Sequence, residues 1–108
     1  MARPARRYDI YLPLTYNDGR PIPHTHFREV ERRLTRRFGG VTCHRREFPM
    51  RGIWEGTGEE FLDDVVMLIA LDFRPNGSER FIATLKSDLL RQFDQLEILI
   101  TETKLRVH

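Results

Sequence analysis

His24 and His26 stand one residue apart, just after a Tyr16-Asn17-Asp18-Gly19 segment, and Asp63-Asp64 opens a later apolar run. Imidazole and carboxylate are the side chains from which general acid–base catalysis and divalent-metal sites are built. Asp18, His24, His26 and Asp64 therefore form the one grouping that points to a metal-dependent hydrolase or nuclease-like enzyme, although a bare H-x-H pair is a weak signature. Cys43-His44 sets a thiol beside an imidazole, but neighbours on a strand point to opposite faces, which denies the thiol its base. None of G-x-S-x-G, G-x-x-x-x-G-K-S/T, H-E-x-x-H or G-x-G-x-x-G occurs. No residue is assigned a catalytic or metal-ligating role, and no cofactor is implied.

The same groups carry a second reading. Tyr16, Asn17, Asp18, His24, His26, Trp54 and Asp64 would make a rim for a small ligand or a protein partner, because polar loop residues beside an aromatic are what binding edges are made of. The plainer alternative is a turn at Asn17-Asp18-Gly19 and a lid at Trp54.

Arginine supplies a third chemistry. Residues 1–54 hold 12 Lys/Arg against 5 Asp/Glu, and residues 55–108 hold 6 against 11, so a net charge of +2 conceals a dipolar chain. Arg28, Arg32 and Arg36, with Arg45 and Arg46, would suit phosphate contacts in a nucleic-acid-binding module. Such a role ranks behind the binding rim, since surface charges are mostly just solvated. RNA-recognition domains stack bases on aromatics of their central strands, and none lies between Val65 and Leu71.

The elements that must position these groups follow from periodicity. Tyr8, Ile10, Leu12 and Leu14 alternate as a strand, with residues 1–6 expected as a flexible tail. Phe27, Val30, Leu34 and Phe38 mark a helix over about 26–38, capped by Thr25 and stopped by Gly39-Gly40. A second strand is expected over 41–48, then a long hairpin connection over 49–60 with Ile53-Trp54 at its tip. The run 64–72 is apolar on both faces, as a central covered strand is. Ser78 is placed as the cap of a second helix carrying Phe81, Ile82, Leu85, Leu89 and Phe93, and a last strand starts near Leu96.

The order β-α-β-β-α-β over 1–108 predicts one α+β domain: a ferredoxin-like two-layer sandwich, with an antiparallel four-stranded sheet and two helices on one face. Two helices leave one face of an apolar sheet bare, so a homodimer joined through that face is expected. No apolar run approaches the roughly 20 residues of a membrane span, and a single cysteine suits a reducing cytoplasm.

Tyr16-Asn17-Asp18-Gly19, Phe38-Gly39-Gly40-Val41-Thr42 and Gly52-Ile53-Trp54 together resemble a family of small uncharacterised bacterial proteins of about this length. The resemblance implies recurring positions at Tyr16, Asn17, Asp18, Gly19, Gly39, Gly40, Thr42 and Trp54, and no activity. The favoured function is a small cytoplasmic binding module that self-associates through its sheet.

Overall fold

The computed structural model describes the backbone of residues 1–44, 50–55 and 60–108, and the side chains of residues 1–43 and 65–108. Arg3–Pro13 forms β1, His24–Phe38 α1, Thr42–His44 β2, Met50–Glu55 β3, Glu60–Asp72 β4, Glu79–Gln92 α2 and Ile100–Val107 β5. The sheet runs β2-β4-β1-β5 with antiparallel neighbours throughout, and β3 also pairs with β4. Tyr8, Ile10 and Leu12 of β1 and Val66 and Leu68 of β4 meet Phe27, Val30 and Leu34 of α1 and Leu85 and Leu89 of α2 in one buried cluster. Both helices thus cover the same face. The fold is the ferredoxin-like α+β sandwich that the alternation and helix periods require.

Several boundaries differ from expectation. β1 begins at Arg3, inside the stretch expected as a flexible tail, because Arg3 to Arg7 pair with Val107 to Thr103 of β5. The Arg3 guanidinium also lies 4.1 Å from the centre of the Phe73 ring. Helix α1 starts at His24 with Pro23 at its N-cap and no side-chain cap, so Thr25 lies within the first turn. The expected stop holds: Gly39 adopts φ 84°, a left-handed geometry that suits glycine, and its N–H donates to Thr35 O at 2.8 Å. The final strand begins only at Ile100. Leu96 is fully exposed, whereas Ile98 is buried, so this approach to the strand does not alternate as a strand should.

The largest difference is the segment expected as a long connection. Met50–Glu55 is a strand, with Met50 opposite Val65 and Glu55 opposite Glu60. His44 lies opposite Met67 and Met50 opposite Val65, so the edge chain advances six residues while β4 advances two. β2 and β3 therefore make one interrupted edge along β4. Because β1 reaches only to Val65, residues 60–64 pair with β3 alone, in a two-stranded ribbon beyond the main sheet.

A buried polar network closes the opposite end of the sheet. Asp72 and Ser78 are buried, and the Ser78 hydroxyl donates to Asp72 Oδ2 at 2.8 Å rather than capping α2. Arg74 N–H donates to Asp72 Oδ1 at 3.1 Å, and Arg37 donates to Ser78 Oγ from Nε and Nη2 at 3.3 and 3.0 Å. Ser78 N–H donates to the Tyr8 hydroxyl, which donates to Glu102 Oε1 at 2.7 Å. Burial, helped by Glu102, pushes the Tyr8 hydroxyl up to about 12. Burial also pushes the Asp72 carboxyl upward, but the hydrogen bonds from Ser78 and Arg74 outweigh it and hold the group below its ordinary value.

A carboxyl with a lowered folded pKa takes its proton more readily in the unfolded chain, so Asp72 stabilises the fold above about pH 4 and loses that contribution as the pH falls further. Asp72→Asn is expected to cost about 1–3 kcal/mol at neutral pH, the range for breaking a buried hydrogen-bonded charge. In urea melts at pH 7 and pH 3, the gap between variant and parent should narrow at the lower pH. An equal gap at both would show that the charge of Asp72 is not what the network uses.

Candidate functional site

The loop between β1 and α1 is closed on itself. Thr15 bridges Pro21, Tyr16 N–H donates to Arg20 O at 2.8 Å, and Gly19 N–H donates to Tyr16 O at 2.9 Å. Asp18 accepts from Arg20 N at 3.0 Å and from Arg20 Nε at 2.6 Å, and the Arg20 guanidinium lies 5.0 Å from the Tyr16 ring centre. The backbone hydrogen bond from Arg20, then that from its side chain, holds the Asp18 carboxyl below its usual range. Tyr16, Asp18 and Arg20 thus satisfy one another. Asn17 is exposed at the turn beside them.

His24 is exposed at the first position of α1. His26 sets its ring edge-on to Phe93, 5.8 Å away, with a buried Nδ1 that has no partner among the described residues. Phe93 follows the last turn of α2, so the loop and the end of α2 do share an edge, as expected. Trp54 and Asp64 fall in the β3–β4 ladder, opposite Phe61 and Arg51, so Trp54 is a strand residue and not a connection tip. Their side chains lie outside the described residues. Among the described residues, no three His, Cys, Asp or Glu side chains come together as a metal would require.

The arginines of α1 separate into two stripes. Residues four apart recur on one flank of a helix, about 6 Å apart along its axis. Glu29, Arg33 and Arg37 form the stripe that faces α2. Glu29 accepts from Gln92 at 2.7 Å, Arg33 pairs with Asp88 at 2.7 Å and Arg37 reaches Ser78. The hydrogen bond from Arg33, then that from Arg91, holds the Asp88 carboxyl below its ordinary value.

Arg28, Arg32 and Arg36 form the other stripe, and all are exposed. They line an open groove of about 560 Å³ with Glu31, Thr35 and Val41. No hydrogen bond or ion pair to these three is found among the described residues, whereas Arg6, Arg7, Arg20, Arg33, Arg74 and Arg91 all have carboxylate partners. Arg45 and Arg46 lie outside the described residues. The groove-lining Glu31, Thr35 and Val41 were not singled out from sequence, although the i, i+4 arginine spacing already marks the flank.

The second sheet face is apolar. Val65, Met67, Ile69 and Leu71 of β4 alternate with the core-facing residues, and register places Pro13, Tyr11, Asp9 and Arg7 of β1 beside them. Ala5 and Leu105 continue the row toward β5; Met67 and Ala5 are buried in the single chain, and Val65, Ile69, Leu71 and Leu105 are half-buried. Its charges, Arg7 and Asp9, pair with each other at 2.7 Å. Neither helix packs on this face.

No family model and no curated protein matches the chain. Among solved structures, a phage SAM lyase in complex with S-methyl-5'-thioadenosine is similar, at 14% identity and a TM-score of 0.60. The match covers 95% of this chain and 88% of that one. What the two share is the fold.

The two stripes predict opposite outcomes for neighbouring substitutions. Arg33→Ala removes the bridge to Asp88 and the contact with Phe81, whose ring centre lies 5.6 Å from the guanidinium. It should lower the thermal midpoint measurably, whereas Arg32→Ala should leave it where it was. Equal losses would mean that the groove stripe also holds the fold together.

Proposed function

We propose that this domain is an interaction module that works as a homodimer joined through its open sheet face. The observation that carries this reading is the row Val65, Met67, Ile69 and Leu71, set beside Tyr11 and Pro13 on the face opposite the helices. Met67 is already buried in the single chain, whereas Val65, Ile69, Leu71, Tyr11 and Pro13 are half-buried. Apolar groups left partly in water on a face without a helix suit an interaction surface. The paired Arg7 and Asp9 add a polar point without leaving an uncompensated charge.

The edges of the sheet are less suited to the task. Lys104 and Arg106 stand exposed along the outer strand β5, and cations there discourage strand-to-strand pairing. The ribbon of β3 and the outer part of β4 supports the same assembly, since a two-stranded hairpin is marginal in water without something to pack on. The loop rim is the weaker half of the expected function, because the Asp18 carboxylate is already spent on Arg20. A cytoplasmic setting suits the single cysteine, Cys43, which is exposed.

Light scattering during size exclusion is expected to give twice the chain mass. Ile69→Asp, which sets a second carboxylate opposite Asp9, should give a monomer whose far-ultraviolet dichroism is unchanged. A monomeric parent, or a variant that still dimerises, removes the proposal.

A second reading, that the domain holds an adenosine-bearing sulfur compound as the phage lyase does, is favoured by the shared fold over 95% of the chain. It predicts a rise in melting temperature with S-methyl-5'-thioadenosine. No rise at saturating concentrations leaves the interaction module standing alone.

A further inference from the structure

The groove on α1 lies in the helical layer, outside the sheet-face assembly just described. We infer that the groove of Arg28, Arg32 and Arg36 binds the phosphodiester backbone of nucleic acid without regard to base sequence. Charge complementarity carries the argument. These three cations converge on one open groove and have no carboxylate partner among the described residues, while the neighbouring stripe on the same helix is engaged by α2.

Their spacing fits the ligand. Residues four apart stand about 6 Å apart along a helix, so the stripe extends about 12 Å, a length that meets successive phosphates of one strand. The side-chain type fits too, since the guanidinium fork matches phosphate oxygens two at a time and sheds its water more readily than an ammonium. Among the described residues no aromatic lines the groove, so they offer no platform on which a base could stack. The Thr35 hydroxyl is already donated to Glu31 O at 2.8 Å, which leaves the guanidinium groups as the donors. Backbone contact without base contact positions a strand but does not read it.

Two features set an order among the contacts. Arg36 sits in the last turn of α1, where the helix dipole is negative and disfavours an anion, so the strand should lean toward Arg28 and Arg32. Glu31 is the acid on the lining and opposes binding.

The test is fluorescence anisotropy with a labelled oligothymidylate and a labelled mixed-sequence strand of equal length. Both should bind alike, with a log–log salt slope of about −2 from three contacts at roughly −0.7 each, a loss of about 20-fold between about 50 and 200 mM salt. Arg28→Ala with Arg32→Ala and Arg36→Ala should weaken binding more than tenfold at low salt and flatten the slope. Arg28→Ala alone should cost more than Arg36→Ala alone, and Glu31→Gln should tighten binding. A charge-matched control, Arg80→Ala with Lys104→Ala and Arg106→Ala, should retain the parent affinity and most of the slope. The inference is overturned if neither strand binds at low salt, or if the groove variant binds as the parent does. It is equally overturned if the control loses as much as the groove variant, or if an oligoglutamate peptide binds as tightly as the strands, which would make the groove a site for acidic protein.

Discussion

Strand β4 is the constraint on which the other elements depend. It pairs with β1 along one side and with β2 and β3 in succession along the other. Its residues are apolar on both faces over 65–71, so one face nucleates the core while the other, apart from Met67, is left half-buried. The core follows from the first face: Val66 and Leu68 are buried with Ile10 and Leu12 of β1, and both helices close over them. The proposed interaction surface rests on the second. A strand polar on one face would have given the same topology and no reason to self-associate.

The end of β4 shows how a polar demand can outrank a local preference. Serine before a helix ordinarily caps it, and Ser78 does occupy the N-cap of α2. Its hydroxyl is nevertheless donated to Asp72, because an unpaired buried carboxylate costs more than an uncapped helix end. Arg37 then reaches across from α1 to the same Ser78 oxygen. One arrangement of side chains thus ties the sheet to the facing ends of both helices. Asp72, Ser78, Tyr8 and Arg37 are scattered in sequence and share no spacing, so nothing short of the fold brings them to notice.

What was legible in the sequence follows the strength of the periodic signal. Phe27, Val30, Leu34 and the glycines after Phe38 define the body and end of α1, though not its start, and the double-faced run before Asp72 defines the central strand. The segment after His44 misleads because Gly52, Gly56 and Gly58 suggest a loop, while strand pairing with β4 overrides that local tendency at 50–55. Leu96 misleads in the opposite direction: it continues an alternation, yet Ile98 alone of that stretch turns inward. The loop rim was half legible. Tyr16 and Asp18 are adjacent as expected, but Arg20, which neutralises Asp18, carries no motif that would reveal its role. The arginine groove was legible as a spacing and not as a site, since only the packing of α2 shows which of the two stripes is already occupied.

The two surfaces are physically independent, which bears on how such a module would work. Helix α1 buries Phe27, Val30 and Leu34 on the sheet, and its stripe of Arg28, Arg32 and Arg36 lies on the flank next to Val41. The row from Val65 to Leu71 faces away from that layer, so a second copy seated there leaves the grooves open. A dimer then carries two arginine grooves on its outer sides. A strand long enough to reach both would gain from effective concentration, so affinity should rise with strand length more steeply than a single groove allows. In the proposed dimer, self-association and anion binding would reinforce each other without any change of shape, because each copy would bring a cationic stripe that its own second helix leaves unpaired.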